Sequence, residues 1–245
     1  MSAPAVKRAL VTGGSGGIGA EICKRLARDG HHVYVHANRG IEAASAVVSE
    51  IVTTGGQAQT IRFDVTDADA TRKALEPVLN DDGPIQILVN NAGIHDDAVF
   101  PGMSADQWHR VINTSVDGFF NVTQPLMMPM IRTRWGRIIN TSSITALTGN
   151  RGQVNYAAAK GALNAATKSL ALEVASRGIT VNAIAPGIIA TPMSEKVFDD
   201  ETIAKLVPMK RAGLPAEVAS LVAYLASDEA GYITAQIISI NGGMI

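Results

Sequence analysis

Short apolar runs alternate with longer amphipathic segments along this chain, and that alternation constrains its fold more than any other feature. The apolar runs are rich in Val and Ile and lack polar alternation, as is typical of strands buried on both faces. We predict seven strands, at 9–12, 33–37, 58–64, 85–90, 136–142, 180–185 and 236–240. The intervening patterns predict helices near 17–29, 41–54, 68–80, 104–130, 154–176 and 215–227.

Strands and helices in this order predict an α/β fold, with a doubly wound parallel sheet and helices on both faces. Residues 1–245 contain no linker or break in composition, so we predict one domain that carries both cofactor and catalytic sites. Pro125 and Pro129 fall inside the predicted helix 104–130, where proline should kink or break it. Segment 191–214 has two prolines and weak periodicity, and we predict that it is a mobile flap over the substrate.

Composition excludes several classes of function. The chain has 245 residues, 21 basic and 22 acidic, and this balance gives no electrostatic footprint for nucleic acid. No apolar run approaches the roughly 18 residues of a membrane span, and the first residues lack the basic-then-apolar order of a signal peptide. His32 and His36 are four residues apart but lie at the predicted strand 33–37, so no histidine pair has that spacing on a predicted helix, as zinc ligands often do. We therefore expect a cytoplasmic protein without a membrane segment or a bound metal.

The first predicted strand runs into a glycine-rich turn at 12–19, which a helix follows. Glycines allow a tight turn and close approach to a ligand, and a helix N-terminus favours phosphate. The spacing of Gly13, Gly17 and Gly19 differs from the common G-x-G-x-x-G, and a purely structural turn is the alternative. The turn predicts a Rossmann-type dinucleotide site, with contacts from Thr12, Gly13, Ser15, Gly17, Ile18 and Gly19.

The end of the second predicted strand indicates which dinucleotide binds. NAD sites usually place an acid here, but Ala37 and Asn38 supply none. Arg39 can meet a 2′-phosphate, which favours NADP(H) over NAD(H); a solvated loop arginine is the alternative. After the third strand, Asp64 and Val65 are expected beside the adenine, unless Asp64 or Asp67 caps the next helix.

Tyr156 and Lys160 are four residues apart in a predicted helix, so they share one face. A free phenol has a pKa of about 10, and a nearby cation lowers it. Such a tyrosine can donate a proton to a carbonyl oxygen or accept one from an alcohol. Ser143 lies 13 residues before Tyr156, although Ser142 could replace it if the strand register shifted. Taken alone, the pair could be an ordinary helix face.

The combination of motifs resembles the short-chain dehydrogenase/reductase family over essentially the whole chain. The glycine turn, the Asn-Asn-Ala-Gly sequence at 90–93 and the ordered set Asn113, Ser143, Tyr156 and Lys160 carry this resemblance. Within the family, the chain is most similar to the β-ketoacyl-[acyl-carrier-protein] reductases. The supporting stretches are 149–160, 175–182, and Asn241-Gly242-Gly243 at the end of the chain.

The resemblance implies roles for the ordered set. Tyr156 would be the general acid, with Lys160 lowering its pKa and holding the nicotinamide ribose. Ser143 would bind the substrate carbonyl, and Asn113 would hold a water in a proton relay. His95 and Gln153 are assigned to the substrate cleft, with a plain loop position as the alternative for His95. The remaining cofactor contacts implied are Asn91, Ala92, Gly93, Pro186, Gly187, Ile189 and Thr191, besides Tyr156 and Lys160 themselves.

The implied reaction is NADPH-dependent reduction of a 3-oxoacyl thioester carried by acyl carrier protein. Arg134 and Arg177 are candidate carrier contacts, and solvated surface arginines are the alternative. A homotetramer is expected, through 104–130, 154–176 and 237–240. One departure is Gly16, where many NADP-dependent relatives carry a basic residue. The alternatives are an alcohol, sugar or steroid dehydrogenase of the same fold, and a non-catalytic dinucleotide-binding protein.

Overall fold

The fold is a parallel sheet covered by helices on both faces. The computed structural model describes residues 6–191 and 199–245, and its sheet has seven strands. All neighbouring strands are parallel, in the order β3-β2-β1-β4-β5-β6-β7, so the predicted α/β class is confirmed. The strands are β1 (Arg8–Val11), β2 (His32–Ala37), β3 (Gln57–Arg62), β4 (Ile87–Asn90), β5 (Gly136–Thr141), β6 (Ile179–Pro186) and β7 (Ile237–Ile240).

Two apolar clusters, one on each face of the sheet, form the core. Consecutive strand residues point to opposite faces, so Ala9 and Val11 join one cluster while Leu10 joins the other. Helices α1, α2 and α9 pack on the first face, and α3, α5 and α7 on the second. The helices are α1 (Gly17–Arg28), α2 (Ile41–Thr53), α3 (Ala68–Pro77), α4 (Ala105–Ile112), α5 (Gly118–Thr133), α6 (Thr145–Thr148), α7 (Val154–Val174), α8 (Asp200–Leu206) and α9 (Pro215–Ala226).

The predicted helix 104–130 is two helices, α4 and α5, joined by a π-helical turn at Asn113–Asp117. In this turn the amide of Gly118 donates to the carbonyl oxygen of Asn113, five residues earlier. The expected break at Pro125 and Pro129 is wrong, because α5 runs through both prolines. The interruption lies upstream of them, where one extra residue is inserted into a helical turn.

The strand order places a switch point between β1 and β4, which are neighbours in the sheet. Chain crossovers leave these strands in opposite directions, and ligands of open α/β sheets bind at the carboxyl ends of such strands. Of the predicted flap, 192–198 lies outside the described residues. Its described part contains α8 and a bridge between Ile189 and Gly213. No helix in 6–191 or 199–245 has the length and apolar character needed to cross a bilayer.

Candidate active site

The glycine turn follows β1 and needs glycine at several positions. Gly13 and Gly17 have φ values of 63° and 54°, in the left-handed region that favours glycine. At Gly19 an added Cβ would lie 2.1 Å from the carbonyl oxygen of Gly13, so only glycine fits. Ser15 and Ile18 belong to the same turn, and α1 begins at Gly17. The first amides of α1 lack acceptors within the helix, as a phosphate site requires.

Hydrogen bonds join the glycine turn to the loop after β4. The hydroxyl oxygen of Thr12 accepts from the amides of Asn91 and Ala92, each at 2.9 Å. In return, Nδ2 of Asn91 donates to the carbonyl oxygens of Thr12 and Gly13, at 3.0 and 3.2 Å. These bonds hold together the carboxyl ends of β1 and β4, where the sheet has its switch point.

The carboxyl ends of β2 and β3 gather the predicted adenosine contacts. Asn38 and Arg39 are exposed, and Asp64 accepts from the amide and hydroxyl of Thr66 at 2.9 and 2.8 Å. Burial opposes the charged form of Asp64, but hydrogen bonds from Thr66 and Asn38 and the charge of Arg39 together lower its pKa. Asp67 caps α3, so Asp64 does not have that role.

Gly16 in the glycine turn and Arg39 after β2 bear on which dinucleotide binds. Gly16 is exposed, and an added Cβ would meet nothing within 4 Å. The turn therefore has open space at Gly16, and Arg39 follows the end of β2. Val65 is buried against Gly118 at the start of α5, so its side chain belongs to the core.

Tyr156 and Ser143 meet at the carboxyl end of β5. Hydrogen bonding with Ser143 favours the phenolate form of Tyr156, and Oγ of Ser143 accepts from the amide of Thr145 at 3.1 Å. Oγ of Ser142 instead donates to the carbonyl oxygen of Lys160, at 3.3 Å. Of the two serines, Ser143 is therefore the one beside the phenol.

Lys160 is buried, with 2% of its surface exposed. Its Nζ donates to the carbonyl oxygen of Thr141 at 2.8 Å and lies 5.7 Å from the ring centroid of Tyr156. A Cβ added to Gly93 would be 3.0 Å from Nζ, so the Asn-Ala-Gly loop packs directly on the ammonium. Burial lowers the pKa of Lys160 to about 8. The group is still mostly charged at pH 7.

The pKa of Tyr156 is raised, chiefly by burial. Ser143 acts to lower it, while the charge of Asp97 raises it further. The net pKa of this phenol in the protein alone is therefore raised, not lowered as the sequence predicted, and the effect of Lys160 on it stays a prediction. The physical reason is that removing the phenolate from water outweighs the neighbouring donors. A phenol with a raised pKa is protonated at neutral pH and can act as a proton donor.

Side chains on two loops meet at the mouth of the cleft. Nε2 of Gln153 donates to Asp97 at 2.9 Å, and Nδ1 of His95 lies 3.3 Å from the same carboxylate. Oε1 of Gln153 accepts from the hydroxyl of Thr145 at 3.4 Å and from Asn150 at 2.9 Å. The two predicted substrate residues, His95 and Gln153, are thus linked through Asp97.

Asn113 begins the π-helical turn, and that turn packs against α7, which carries Lys160. On the other side of the cleft, Pro186 ends β6 and Gly187 donates its amide to the carbonyl oxygen of Ile240 at 2.9 Å. Thr191 extends this segment to the glycine turn, with its methyl carbon 3.7 Å from a Cβ added at Gly17. Thr191 therefore lies beside the glycine turn, whereas Ile189 is buried in the core and bridges to Gly213.

Comparison with known proteins identifies the family. A family model described as short chain dehydrogenase matches residues 7–202. The chain belongs to the short-chain dehydrogenase family. As a member, it is an oxidoreductase that interconverts an alcohol and a carbonyl group with a nicotinamide dinucleotide. The glycine turn, its open helix N-terminus and the lysine behind the Asn-Ala-Gly loop fit such a cofactor.

Several known proteins are similar to this chain over nearly their whole length. Nodulation protein G of Azospirillum brasilense is 44% identical over 240 residues, covering 97% of this chain and 98% of that protein. The 3-oxoacyl-[acyl-carrier-protein] reductase FabG of Aggregatibacter actinomycetemcomitans is 42% identical over 236 residues, with 96% and 98% covered. The reductase of the same name from Staphylococcus aureus strain Mu50 is 44% identical over 240 residues, with 97% and 98% covered.

Arg134 and Arg177 lie together, but far from this cleft. Nη2 of Arg134 donates to the carbonyl oxygen of Ser176 at 3.1 Å. Both arginines precede strands, β5 and β6, whereas Ser143 follows β5. A strand of six residues is about 20 Å long. The two arginines therefore lie at the amino ends of the strands, about that distance from the cleft at the carboxyl ends.

Three residues of this short-chain dehydrogenase site escaped the sequence analysis: His36, Asp97 and Asn155. Asn155 is buried and donates to the carbonyl oxygens of Asp96 and Gln107, while its Oδ1 accepts from the amide of Tyr156 at 2.8 Å. His36 lies in a strand pattern, and Asp97 and Asn155 stand near other polar residues, so none of the three has a distinct local signal. In 6–191 and 199–245, no cluster of three or more His, Cys, Asp or Glu residues could hold a metal ion.

Proposed function

We propose that this enzyme reduces a 3-oxoacyl thioester, carried by acyl carrier protein, to the 3-hydroxyacyl thioester with NADPH. The observation that carries this proposal is the similarity, at 42–44% identity over nearly the full length, to reductases named for that reaction. The Tyr156, Ser143 and Lys160 cluster beside a dinucleotide turn supports the chemistry.

The proposed roles follow from where charge develops. When bound, the nicotinamide supplies a hydride to the carbonyl carbon. Tyr156 donates its phenolic proton to the carbonyl oxygen, and Ser143 donates a hydrogen bond to the same oxygen. The ammonium of Lys160, 5.7 Å from the phenol ring, stabilises the phenolate left behind. Asn113, in the turn against α7, is proposed to hold the water that returns a proton.

We propose NADPH rather than NADH because the end of β2 offers a cation and no carboxylate. Asn38 and Arg39 are exposed at the turn after β2, and the carboxylate of Asp64, which interacts with both, is already bonded to Thr66. A guanidinium suits a 2′-phosphate, whereas an acid at this position would select the 2′-hydroxyl of NADH.

We further propose that carrier docking uses a second copy of the chain. Exposed apolar side chains line α5 and α7, including Phe120 at 63% and Leu172 at 82% exposed. Both helices run from the cleft edge of the sheet to the edge that holds Arg134 and Arg177. Antiparallel pairing of these helices, as in the proposed homotetramer, would bring the arginines of one copy to the cleft of its neighbour. Sedimentation as a monomer at micromolar concentration would contradict it.

A substrate and cofactor panel tests the proposal. Acetoacetyl-acyl carrier protein, acetoacetyl-coenzyme A, a cyclic ketone, a keto sugar and a keto steroid are each assayed with NADPH and with NADH at 340 nm. We expect the highest kcat/KM for the carrier-bound thioester with NADPH. A higher kcat/KM for a sugar or steroid would assign the enzyme to another substrate class. Binding of NADPH without turnover of any ketone would indicate a non-catalytic protein.

A further inference from the structure

A buried histidine lies behind the glycine turn, at the carboxyl end of β2. His36 is 2% exposed in a strand that is otherwise mostly apolar. Its Nδ1 lies 3.1 Å from the amide nitrogen of Gly13, and its Nε2 lies 3.0 Å from the carbonyl oxygen of Phe63. The ring therefore bridges the glycine turn and the end of β3.

These contacts fix the tautomer of the imidazole. The amide of Gly13 can only donate, so Nδ1 must carry the lone pair. The carbonyl oxygen of Phe63 can only accept, so the proton must be on Nε2. His36 is therefore neutral with both nitrogens bonded, which allows its complete burial.

The main chain of His36 also bonds to the glycine turn. The amide of Gly14 donates to the carbonyl oxygen of His36 at 2.9 Å. The imidazole and the ring of Phe63 are in contact, with their centroids 4.1 Å apart. Asp64 follows directly and interacts with Asn38, so this contact also fixes the adenosine end of the cleft.

We propose that His36 is a positioning residue for the dinucleotide, holding the phosphate-binding turn at a fixed distance from the adenosine-binding ends of β2 and β3. The inference rests on the proposed use of a dinucleotide at this cleft. It assigns a function to a residue that does not itself touch the cofactor. The amide of Gly13 is occupied by His36, which leaves the amides at the start of α1 for the phosphates.

An apolar residue would fill this place in an ordinary core. Val33, Val35 and Ala37 of the same strand are apolar and buried. Replacing His36 by leucine would keep most of the volume but leave Gly13 without an acceptor and Phe63 without a donor. Buried groups without partners are unfavourable, so the turn would move to find new ones.

Titration of the imidazole gives the proposal a pH signature. Burial lowers the pKa of His36 to about 4, against opposing effects of the Phe63 carbonyl and the Asp64 carboxylate. From α1, the titratable neighbour of the turn is Cys23, whose thiol stays neutral because burial raises its pKa. Protonation of Nδ1 would place a second hydrogen against the N–H of Gly13, and the hydrogen bond between them would be lost. Dinucleotide binding should therefore weaken as the pH falls toward 4.

The test compares one variant that keeps the bond to Gly13 with one that removes both bonds. In His36→Asn, Oδ1 takes the place of Nδ1 and can accept from Gly13; His36→Leu removes both bonds. Calorimetric titration with NADPH, without ketone, should give a Kd about tenfold higher for H36L and within threefold of wild type for H36N. The kcat at saturating NADPH and the KM for ketone should change less than twofold. His32→Leu, at the other end of β2, is the matched control and should bind as wild type does.

Two outcomes would overturn the proposal: an unchanged Kd in H36L, or equal weakening in H36L, H36N and H32L. If H36L does not fold, ¹⁵N spectra of the wild type decide instead. A neutral, Nε2-protonated His36 at pH 7 is expected, and a charged or Nδ1-protonated ring would contradict the assignment. Because NADPH binding is measured without ketone, failure of the proposed thioester reduction would leave this result unaffected.

Discussion

The two halves of the cleft are built in opposite ways. The glycine half is held by main-chain bonds, glycines and a neutral buried histidine. The catalytic half contains a buried ammonium, Lys160, and a phenol whose pKa burial raises. The glycine half depends on close packing, whereas the catalytic half depends on a buried charge. Steric changes should therefore affect mainly the first half and changes of charge the second. Acid pH should reach the first half through His36, and alkaline pH should reach the second through Lys160.

In the glycine half, a substitution at Gly19 should lower the stability of the protein most. A Cβ there would lie 2.1 Å from the carbonyl oxygen of Gly13, and neither backbone can move without disrupting β1 or α1. We expect Gly19→Ala to lower the free energy of unfolding by about 4 kcal/mol, measured by urea denaturation. Gly16→Ala is the control: its Cβ meets nothing within 4 Å, so a change of about 0.5 kcal/mol or less is expected. Equal losses in both variants would contradict the steric account.

Lys160 should give the catalytic half a distinct pH dependence. Its pKa of about 8 in the folded chain lies below the ordinary 10.5, so the unfolded chain binds more protons between these pH values. The wild type should therefore gain about 3 kcal/mol of stability relative to Lys160→Met as pH rises from 8 to 10.5.

Urea denaturation at several pH values measures this difference. Lys168→Met, an exposed lysine on the same helix, should follow the wild type throughout. A constant difference between wild type and K160M would mean that burial does not perturb this ammonium.

Acid pH should act on the glycine half through His36. Its folded pKa of about 4 lies below the ordinary 6.5, so the unfolded chain binds the extra proton between these values. Stability should therefore fall as the pH drops from 6.5 to 4, and His36→Asn should remove that part of the fall.

Arg39 should have the smallest effect, and only on one cofactor. If its guanidinium meets the 2′-phosphate, Arg39→Ala should raise the KM for NADPH about tenfold and leave that for NADH unchanged. Arg28→Ala, at the far end of α1, makes the same change in net charge and serves as the control. An equal change in KM for both cofactors would mean that Arg39 does not contact the 2′-phosphate.

The fold was predictable because most strands are short apolar runs, and each predicted strand lies within two residues of the observed one. The edge strand β3 is the exception, since polar residues alternate along it. The π-helical turn at Asn113–Asp117 was not predictable, because the helical pattern of apolar residues continues across it and its contact with α7 comes from a distant part of the chain. The glycine turn and the Ser143, Tyr156 and Lys160 set were predicted from the spacing of the motifs together with their resemblance to the family.

The residues that sequence analysis missed act through distant partners. His36 sits in the run His-Val-Tyr-Val-His-Ala, which indicates only a strand, and its acceptor on Phe63 is 27 residues away. Asp97 acts on Tyr156 across 59 residues of chain, from a loop without local signal. The raised pKa of Tyr156 could not be predicted either, because the spacing shows that a lysine is nearby but not that the phenol is buried.

Tyr156→Phe tests the central claim most directly, because it removes one hydroxyl and leaves the ring in place. NADPH binding by calorimetry and reduction of acetoacetyl-acyl carrier protein at 340 nm are measured on the same preparation. We predict an unchanged Kd for NADPH and a loss of roughly 10³-fold in kcat, in the range for loss of a general acid. A kcat within tenfold of wild type would contradict the assignment of Tyr156 as the proton donor.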